Sequence, residues 1–227
     1  MTDMHELAQR LARLQETIRE YEARHGRTSG SVALLAVSKR HPASAIEDAW
    51  AAGQQAFGEN YVQEALAKAA SLASLPIEWH FIGPLQGNKT AEVAANFSWV
   101  HTIDRIRIAE RLNNQRPAHL PPLNVLIQVN VSGEPSKHGI VADALPALAA
   151  EVAALPRLKL RGLMTLPAPS ADFGAQRAAF AVLRELARDS ALGMETLSMG
   201  TSDDFEAAIA EGSTIVRIGT ALFGPRT

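Results

Sequence analysis

Short apolar runs alternate with longer amphipathic stretches along almost the whole chain. The runs "SVALLAVS" (31–38), "QAFG" (55–58), "EWHFIG" (78–83), "WVHTID" (99–104), "LNVLIQVNV" (123–131), "LKLRGLMTL" (158–166), "METLSMG" (194–200) and "STIVRIGT" (213–220) have the length of buried strands. Alanine-rich stretches near 43–52, 60–74, 88–96, 104–115, 140–155, 173–190 and 202–211 fill the gaps and read as helices. Each predicted strand but the last is followed by a helix. Strict alternation implies parallel strands covered on both faces. Eight units without a linker predict a single-domain closed (β/α)8 barrel over residues 1–227. An open doubly wound sheet is the rival, but a dinucleotide fold would show G-x-G-x-x-G at its first turn, and this chain has "SKRHPA".

Ahead of the barrel, Met4, Leu7, Leu11, Leu14, Ile18 and Tyr21 fall three and four residues apart, marking one face of a helix within 1–27. Thr2 or Asp3 is its expected cap. The stripe is too short for a coiled coil and is expected to pack on the barrel.

Composition narrows the function. With 47% hydrophobic and 20% charged residues and a formal net charge of −2, the chain lacks the basic surplus of a nucleic-acid binder. The absence of cysteine removes disulfides, thiolate metal sites and a cysteine nucleophile. Seven histidines form no recognisable metal-ligand cluster, so no metal is expected. No run approaches the ~20 residues of a membrane span, and the charged first residues are unlike a secretory signal. These features point to a cytosolic protein without membrane or nucleic-acid partners. No dimerisation segment is evident, so a monomer is expected.

Barrels carry their chemistry where strands end and loops begin. Lys39 stands at the first strand end, Asn60 in "GENY" at the second, "GPLQGNK" at the third and "NVSGEPSKHG" at the fifth. The seventh and eighth ends, "SMGTSDDFEAAIAEG" and "RIGT", combine glycines with hydroxyls: Ser198, Gly200, Thr201 and Ser202, then Gly219 and Thr220. Thr201 or Ser202 is the expected helix cap, and loops seven and eight commonly form phosphate sites in barrels. Asp203 and Asp204 would repel a phosphate and are left out of the site, as residues that complement the helix dipole. Arg217 lies between Val216 and Ile218; a charge there needs a partner, and it reads either as a structural ion pair, an outward cation, or a donor into the barrel mouth.

Lys39 is either a strand-end lysine reaching water or a desolvated amine able to form a Schiff base with an aldehyde. An aldehyde bearing a phosphate and a ring nitrogen, such as pyridoxal 5′-phosphate (PLP), would use the lysine, the phosphate turns and Arg217 together; a sugar-phosphate aldehyde would use two of the three. His80 alternates with Ile82 and reads equally as a buried, hydrogen-bonded histidine. Glu59 is either a base or half of a strand-end ion pair.

"LLAVSK", "FGENYVQE", "WHFIGPLQGNK", "VNVSGEPSKHG", "GLMTL" and "LSMGTSDDFEAAIAEGSTIVRIGTALFG", in that order from about Leu34 to Gly224, resemble the YggS/PROSC-type PLP homeostasis proteins. The resemblance implies a barrel similar to the N-terminal domain of alanine racemase, without that enzyme's second domain. It implies that Lys39 carries PLP as an internal aldimine, and that Ser198, the Gly200–Thr201–Ser202 turn and Gly219–Thr220 hold the phosphate. Arg217 would face the pyridine nitrogen, and Asn60 and His80 would line the pocket. Thr201 replaces a methionine common in the family, Arg40 and His41 depart from its "SKTKP", and Lys137 matches a loop lysine that is either a secondary PLP contact or a solvated charge.

The implied role is to bind, buffer and hand over PLP, with apo PLP-dependent enzymes as possible recipients and no catalytic residues. The alternative is a single-domain PLP racemase or decarboxylase. Two-base racemisation would need a tyrosine from a second domain, and only Tyr21 and Tyr61 exist here. An aldolase acting on a sugar phosphate lacks an evident base near Lys39.

Overall fold

The computed structural model describes residues 4–134, 138–190 and 192–225. Strands β1 (Ala33–Val37), β2 (Ala56–Glu59), β3 (Glu78–Phe81), β4 (Trp99–Ile103), β5 (Leu123–Gln128), β6 (Leu158–Met164), β7 (Thr196–Ser198) and β8 (Ile215–Ile218) pair in parallel, in chain order. β8 returns to β1, with Leu35 beside Arg217, and closes the barrel. Outside lie α2 (Ala43–Ala51), α3 (Val62–Ser71), α4 (Thr90–Asn96), α5 (Ile106–Gln115), α6 (Leu145–Ala153), α7 (Phe173–Arg188) and α8 (Phe205–Ala210).

The strands' outer faces supply the main core. Ala36, Phe57, Phe81, Val100, Val125, Ile127, Leu163, Leu197 and Val216 pack there against helix residues such as Ile46, Leu112, Val152 and Phe180. The inner faces differ. The registers Gly58–His80–Trp99, Met164–Ser198 and Leu35–Arg217 place polar side chains between apolar ones on the barrel axis. The imidazole of His80 stacks on Trp99 at 5.4 Å and 7°, and Arg161 lies 5.9 Å from the Trp99 ring.

The N-terminal helix α1 (Met4–Arg24) buries Leu7, Leu11, Leu14 and Ile18 as its stripe predicts. Met4 is 58% exposed and outside that face, while Tyr21 packs on Phe205 at 5.3 Å. Glu22 is buried as well. Its carboxylate accepts from the backbone N–H of Gly30 and Val32, both at 2.8 Å, and so fixes the chain's entry into β1. The cap expected at Thr2 or Asp3 lies outside the described residues.

Two elements depart from expectation. The last strand is followed by a helix after all, the four-residue α9 (Thr220–Phe223), and α1 packs across it. α8 starts at Phe205 rather than near 202, because residues 201–204 form a turn closed by the Asp204 carboxylate. Among the described residues, no helix is long and apolar enough to cross a membrane, and no group of three or more acidic or histidine side chains is placed to hold a metal.

Candidate functional site

A cavity of about 270 Å³ opens at the C-terminal ends of the strands, lined by Val37, Lys39, Asn60, Ile82, Met164, Leu166, Thr201, Ser202, Asp203, Arg217, Gly219 and Thr220. Lys39 and Arg217 reach it from neighbouring strands, β1 and β8. The turns after β7 and β8 bring the hydroxyls of Ser202 and Thr220 to the same wall. Gly200 makes the first of these turns possible: its φ is +95°, and a Cβ there would lie 2.6 Å from the Ala208 Cβ. Gly83 does the same between β2 and β3, where a side chain would collide with the Asn60 carbonyl.

Lys39 sits in a turn closed by a hydrogen bond from His41 N–H to the Ser38 carbonyl at 3.0 Å. The next residue, Arg40, has φ +62° and is the one non-glycine residue among those described with a positive φ. Ser38 is buried behind the turn. Its hydroxyl donates to Glu59 Oε1 at 2.6 Å, and its carbonyl accepts from Lys68 Nζ at 2.8 Å. Glu59 is therefore one half of a buried ion pair with Lys68, 2.7 Å apart. Burial raises the Glu59 carboxyl pKa, against the lowering effect of its bonds to Lys68 and Ser38.

Arg217 is buried and makes no ion pair among the described residues; one N–H₂ donates to Ser198 Oγ and the other to the Thr165 carbonyl, both at 2.8 Å. Burial lowers its pKa to about 10, so it stays charged at neutral pH. Behind it runs a chain of hydrogen bonds: Ser198 Oγ to His101 Nδ1 at 2.9 Å, His101 Nε2 to His80 Nδ1 at 2.9 Å, and His80 Nε2 to Glu78 Oε1 at 2.6 Å.

Chemistry at the two ends fixes the direction of that chain. Arg217 can only donate, so the Ser198 proton points to His101; ionised Glu78 can only accept, so His80 carries its proton on Nε2. Each imidazole is then neutral, donating once and accepting once. Burial drives both histidine pKa values down, that of His101 further because the charge of Arg217 and any charge on His80 add to the effect.

Seven of the ten residues singled out in the sequence line the cavity: Lys39, Asn60, Thr201, Ser202, Arg217, Gly219 and Thr220. Ser198, His80 and Gly200 are not among the lining residues; the first two stand below Arg217 in the buried chain, and Gly200 shapes the turn. Asp203, left out of the site by its charge, is on the wall, while Asp204 turns inward and accepts from the N–H and hydroxyl of Thr201 at 2.6 and 2.9 Å. That bond commits the Thr201 hydroxyl to the turn. His101, buried in "WVHTID", was not singled out, although its period-two relation to Trp99 marks it as inward-facing. Lys137 lies outside the described residues.

The polar groups present, one acceptor among several donors, suit an anionic, aromatic ligand that also carries a donor. The Asn60 side-chain oxygen is buried without a hydrogen-bond partner, Arg217 presents a fixed cation, and the backbone N–H groups of Ser202 and Asp203 make no hydrogen bond among the described residues. A primary amine completes the set. PLP has a matching group for each of these: a ring nitrogen, a phosphate, a phenolic hydroxyl and an aldehyde.

Fold and site together define a parallel barrel that presents a lysine and an arginine to a polar cavity at its mouth. The family model described as alanine racemase, N-terminal domain, matches residues 9–227. The pyridoxal phosphate homeostasis protein of Pseudomonas aeruginosa is 60% identical over 223 residues, covering 98% of this chain and 97% of its own length. That of Escherichia coli K12 is 54% identical, with 98% of each chain covered. PipY of Synechococcus elongatus, solved with PLP bound, superposes with a TM-score of 0.83 at 38% identity, covering 96% of this chain and all of PipY. This chain belongs to the alanine racemase N-terminal-domain family, and within it to the pyridoxal phosphate homeostasis proteins.

Proposed function

We propose that this protein binds PLP at Lys39, holds it reversibly, and releases it to apo PLP-dependent enzymes without turning over amino acids. The observation that carries the reading is the convergence of Lys39, Arg217 and two glycine–hydroxyl turns on one cavity. An aldehyde condenses with a primary amine with loss of one water, and hydrolysis returns both partners, so attachment at Lys39 is a storage bond rather than a commitment. Ser202, Gly219 and Thr220 hold the phosphate through hydroxyl and backbone N–H donors, and Asn60 accepts or donates at the ring's edge. Relatives named for PLP homeostasis and a PLP-bound neighbour support the choice of cofactor over a sugar phosphate.

Storage rather than turnover follows from Arg217. A buried cation donating to a pyridine nitrogen disfavours protonation there and weakens the ring as an electron sink. Tyr21 packs on Phe205, on the helix layer, and Tyr61 is not a lining residue of the cavity. In this reading the protein works in the cytosol as a monomer.

The test is the visible spectrum of the purified protein beside Lys39→Ala, with borohydride reduction and peptide mapping. A band that appears with PLP in the wild type, a reduced adduct on Lys39, and neither in the variant are expected. A wild type that stays colourless with added PLP overturns the cofactor; turnover of any amino acid by the loaded protein overturns the storage role.

A further inference from the structure

The turn that carries Lys39 is gripped from the helix side of the barrel by three charged side chains. β1 and β2 pair with Val37 beside Gly58, so the residues that follow, Ser38 and Glu59, leave the cavity together and face α3. There Glu64 and Lys68 stand one helical turn apart, acid before base, which is the favourable order. The Lys68 ammonium uses all three of its donors: the Ser38 carbonyl at 2.8 Å, Glu59 Oε1 at 2.7 Å and Glu64 Oε1 at 2.6 Å. Glu64 Oε1 also accepts the Arg40 N–H at 2.5 Å. Thus the residue before Lys39 and the residue after it are both tied to the same ammonium, one directly and one through a carboxylate.

Arg40 is held at a φ that side chains other than glycine rarely adopt. Such conformations persist where the surroundings over-determine them, and they gather at functional sites. A buried ion pair is a poor device for stability alone, since apolar groups of similar volume do as well or better. Its value is directional.

Resting on the reading that Lys39 is the attachment point, we propose that Lys68, with Glu59 and Glu64, is a positioning clamp. It fixes the Ser38–Lys39–Arg40 turn so that the Lys39 amine points at the cavity, and it governs how much of the bound PLP is covalently attached. None of the three is a lining residue of the cavity.

The experiment separates total binding from attachment. Wild type, Lys68→Met, Glu64→Ala, Glu59→Ala and Glu59→Gln are saturated with PLP. Total bound PLP is measured by release in alkali, and attached PLP by borohydride reduction and mass spectrometry of the Lys39 peptide. In Lys68→Met and Glu59→Ala the attached share is expected to fall about threefold or more, the equilibrium effect of losing one net hydrogen bond, while total binding at saturation persists. Glu59→Gln keeps the oxygen that Ser38 and Lys68 use and is expected to retain more than half of the wild-type share. Glu64→Ala is partly exposed, so it folds even if Lys68→Met does not, and its share is expected to fall in the same direction. Attached shares equal to wild type in folded Lys68→Met and Glu64→Ala, with only thermal stability lowered, overturn the clamp and leave the attachment reading standing. A wild type with bound PLP but no Lys39 adduct overturns the attachment reading and the clamp with it.

Discussion

Lys39 stands on a turn tied down from the helix side by an ammonium and two carboxylates, whereas Arg217 stands on the barrel axis at the head of a chain of neutral groups. The two supports are matched to what they carry. Arg217 brings a permanent charge into a buried layer, and a second cation there would compound the desolvation it already suffers. Ser198 accepts from Arg217 and donates to the neutral imidazole of His101, so the chain adds no charge beside it. The carboxylate whose charge acts on Arg217 is Asp204, in the turn after β7, while Glu78 sits at the half-exposed far end of the chain, where water shares the cost of its ionisation. Lys39 needs a direction, and its clamp keeps its charges behind Ser38. An ionic support on the helix side and a neutral one on the barrel axis keep the supports' own charges out of the cavity that Lys39 and Arg217 share.

Arg217→Met breaks the comparison most completely. It leaves Ser198 Oγ and the Thr165 carbonyl without their donor, each an unsatisfied buried group costing about 1–3 kcal/mol. Chemical denaturation is expected to report that loss, and PLP titration a fall in affinity of roughly ten- to a hundredfold, the worth of one charged hydrogen bond. An unchanged affinity would remove Arg217 from the list of cofactor contacts. His101→Leu is the next largest. The Ser198 hydroxyl and His80 Nδ1 lose their partners, so stability is expected to fall by about 1–3 kcal/mol, with a smaller change in affinity because Arg217 keeps its bond to Thr165. Equal affinity losses in the two variants would mean that the chain, and not Arg217 alone, sets the site.

Most of this architecture is legible in the sequence, and most of what is not depends on strand register. The eight strands are marked by apolar runs, and their ends lie within a few residues of expectation because Gly, Pro and capping residues punctuate them. The cavity-lining lysine, arginine and glycine turns are legible because a closed barrel places every strand end at one mouth. The Ser198–His101 bond joins residues 97 apart, and the His80–His101 bond depends on the pairing of β3 with β4. Neither follows from local pattern; both need the register. The Lys68 contacts are hidden for a similar reason, since only the Val37–Gly58 pairing turns Ser38 and Glu59 to the same side. α9 escaped because four residues bounded by Gly219 and Gly224 carry no helical period.

The last prediction sets the two supports against each other in acid. His80 and His101 have folded pKa values below the ordinary histidine value of about 6.5, so below that pH the unfolded chain binds more protons than the folded one. Their contribution to stability is present above about pH 6.5 and is lost as pH falls, by up to ~1.4 kcal/mol per pH unit for each histidine. Glu59 has the opposite sign. Its folded pKa is raised, so its contribution is present below the ordinary carboxyl range and is lost as pH rises through the folded value. Urea denaturation between pH 5 and 8 at fixed ionic strength is expected to show wild-type stability rising with pH, and His101→Leu rising about half as steeply. Glu59→Gln, the smallest effect, is expected to match or exceed wild type near neutral pH by less than about 1 kcal/mol, under one pKa unit's worth, because the amide escapes the desolvation that raises the carboxyl while Glu64 stays paired with Lys68. That advantage shrinks toward acid as the wild-type carboxyl takes up its proton. If Glu59→Gln were instead less stable at pH 7 than at pH 5, relative to wild type, the carboxylate would be a net stabiliser, and the clamp would be holding the fold before it holds Lys39.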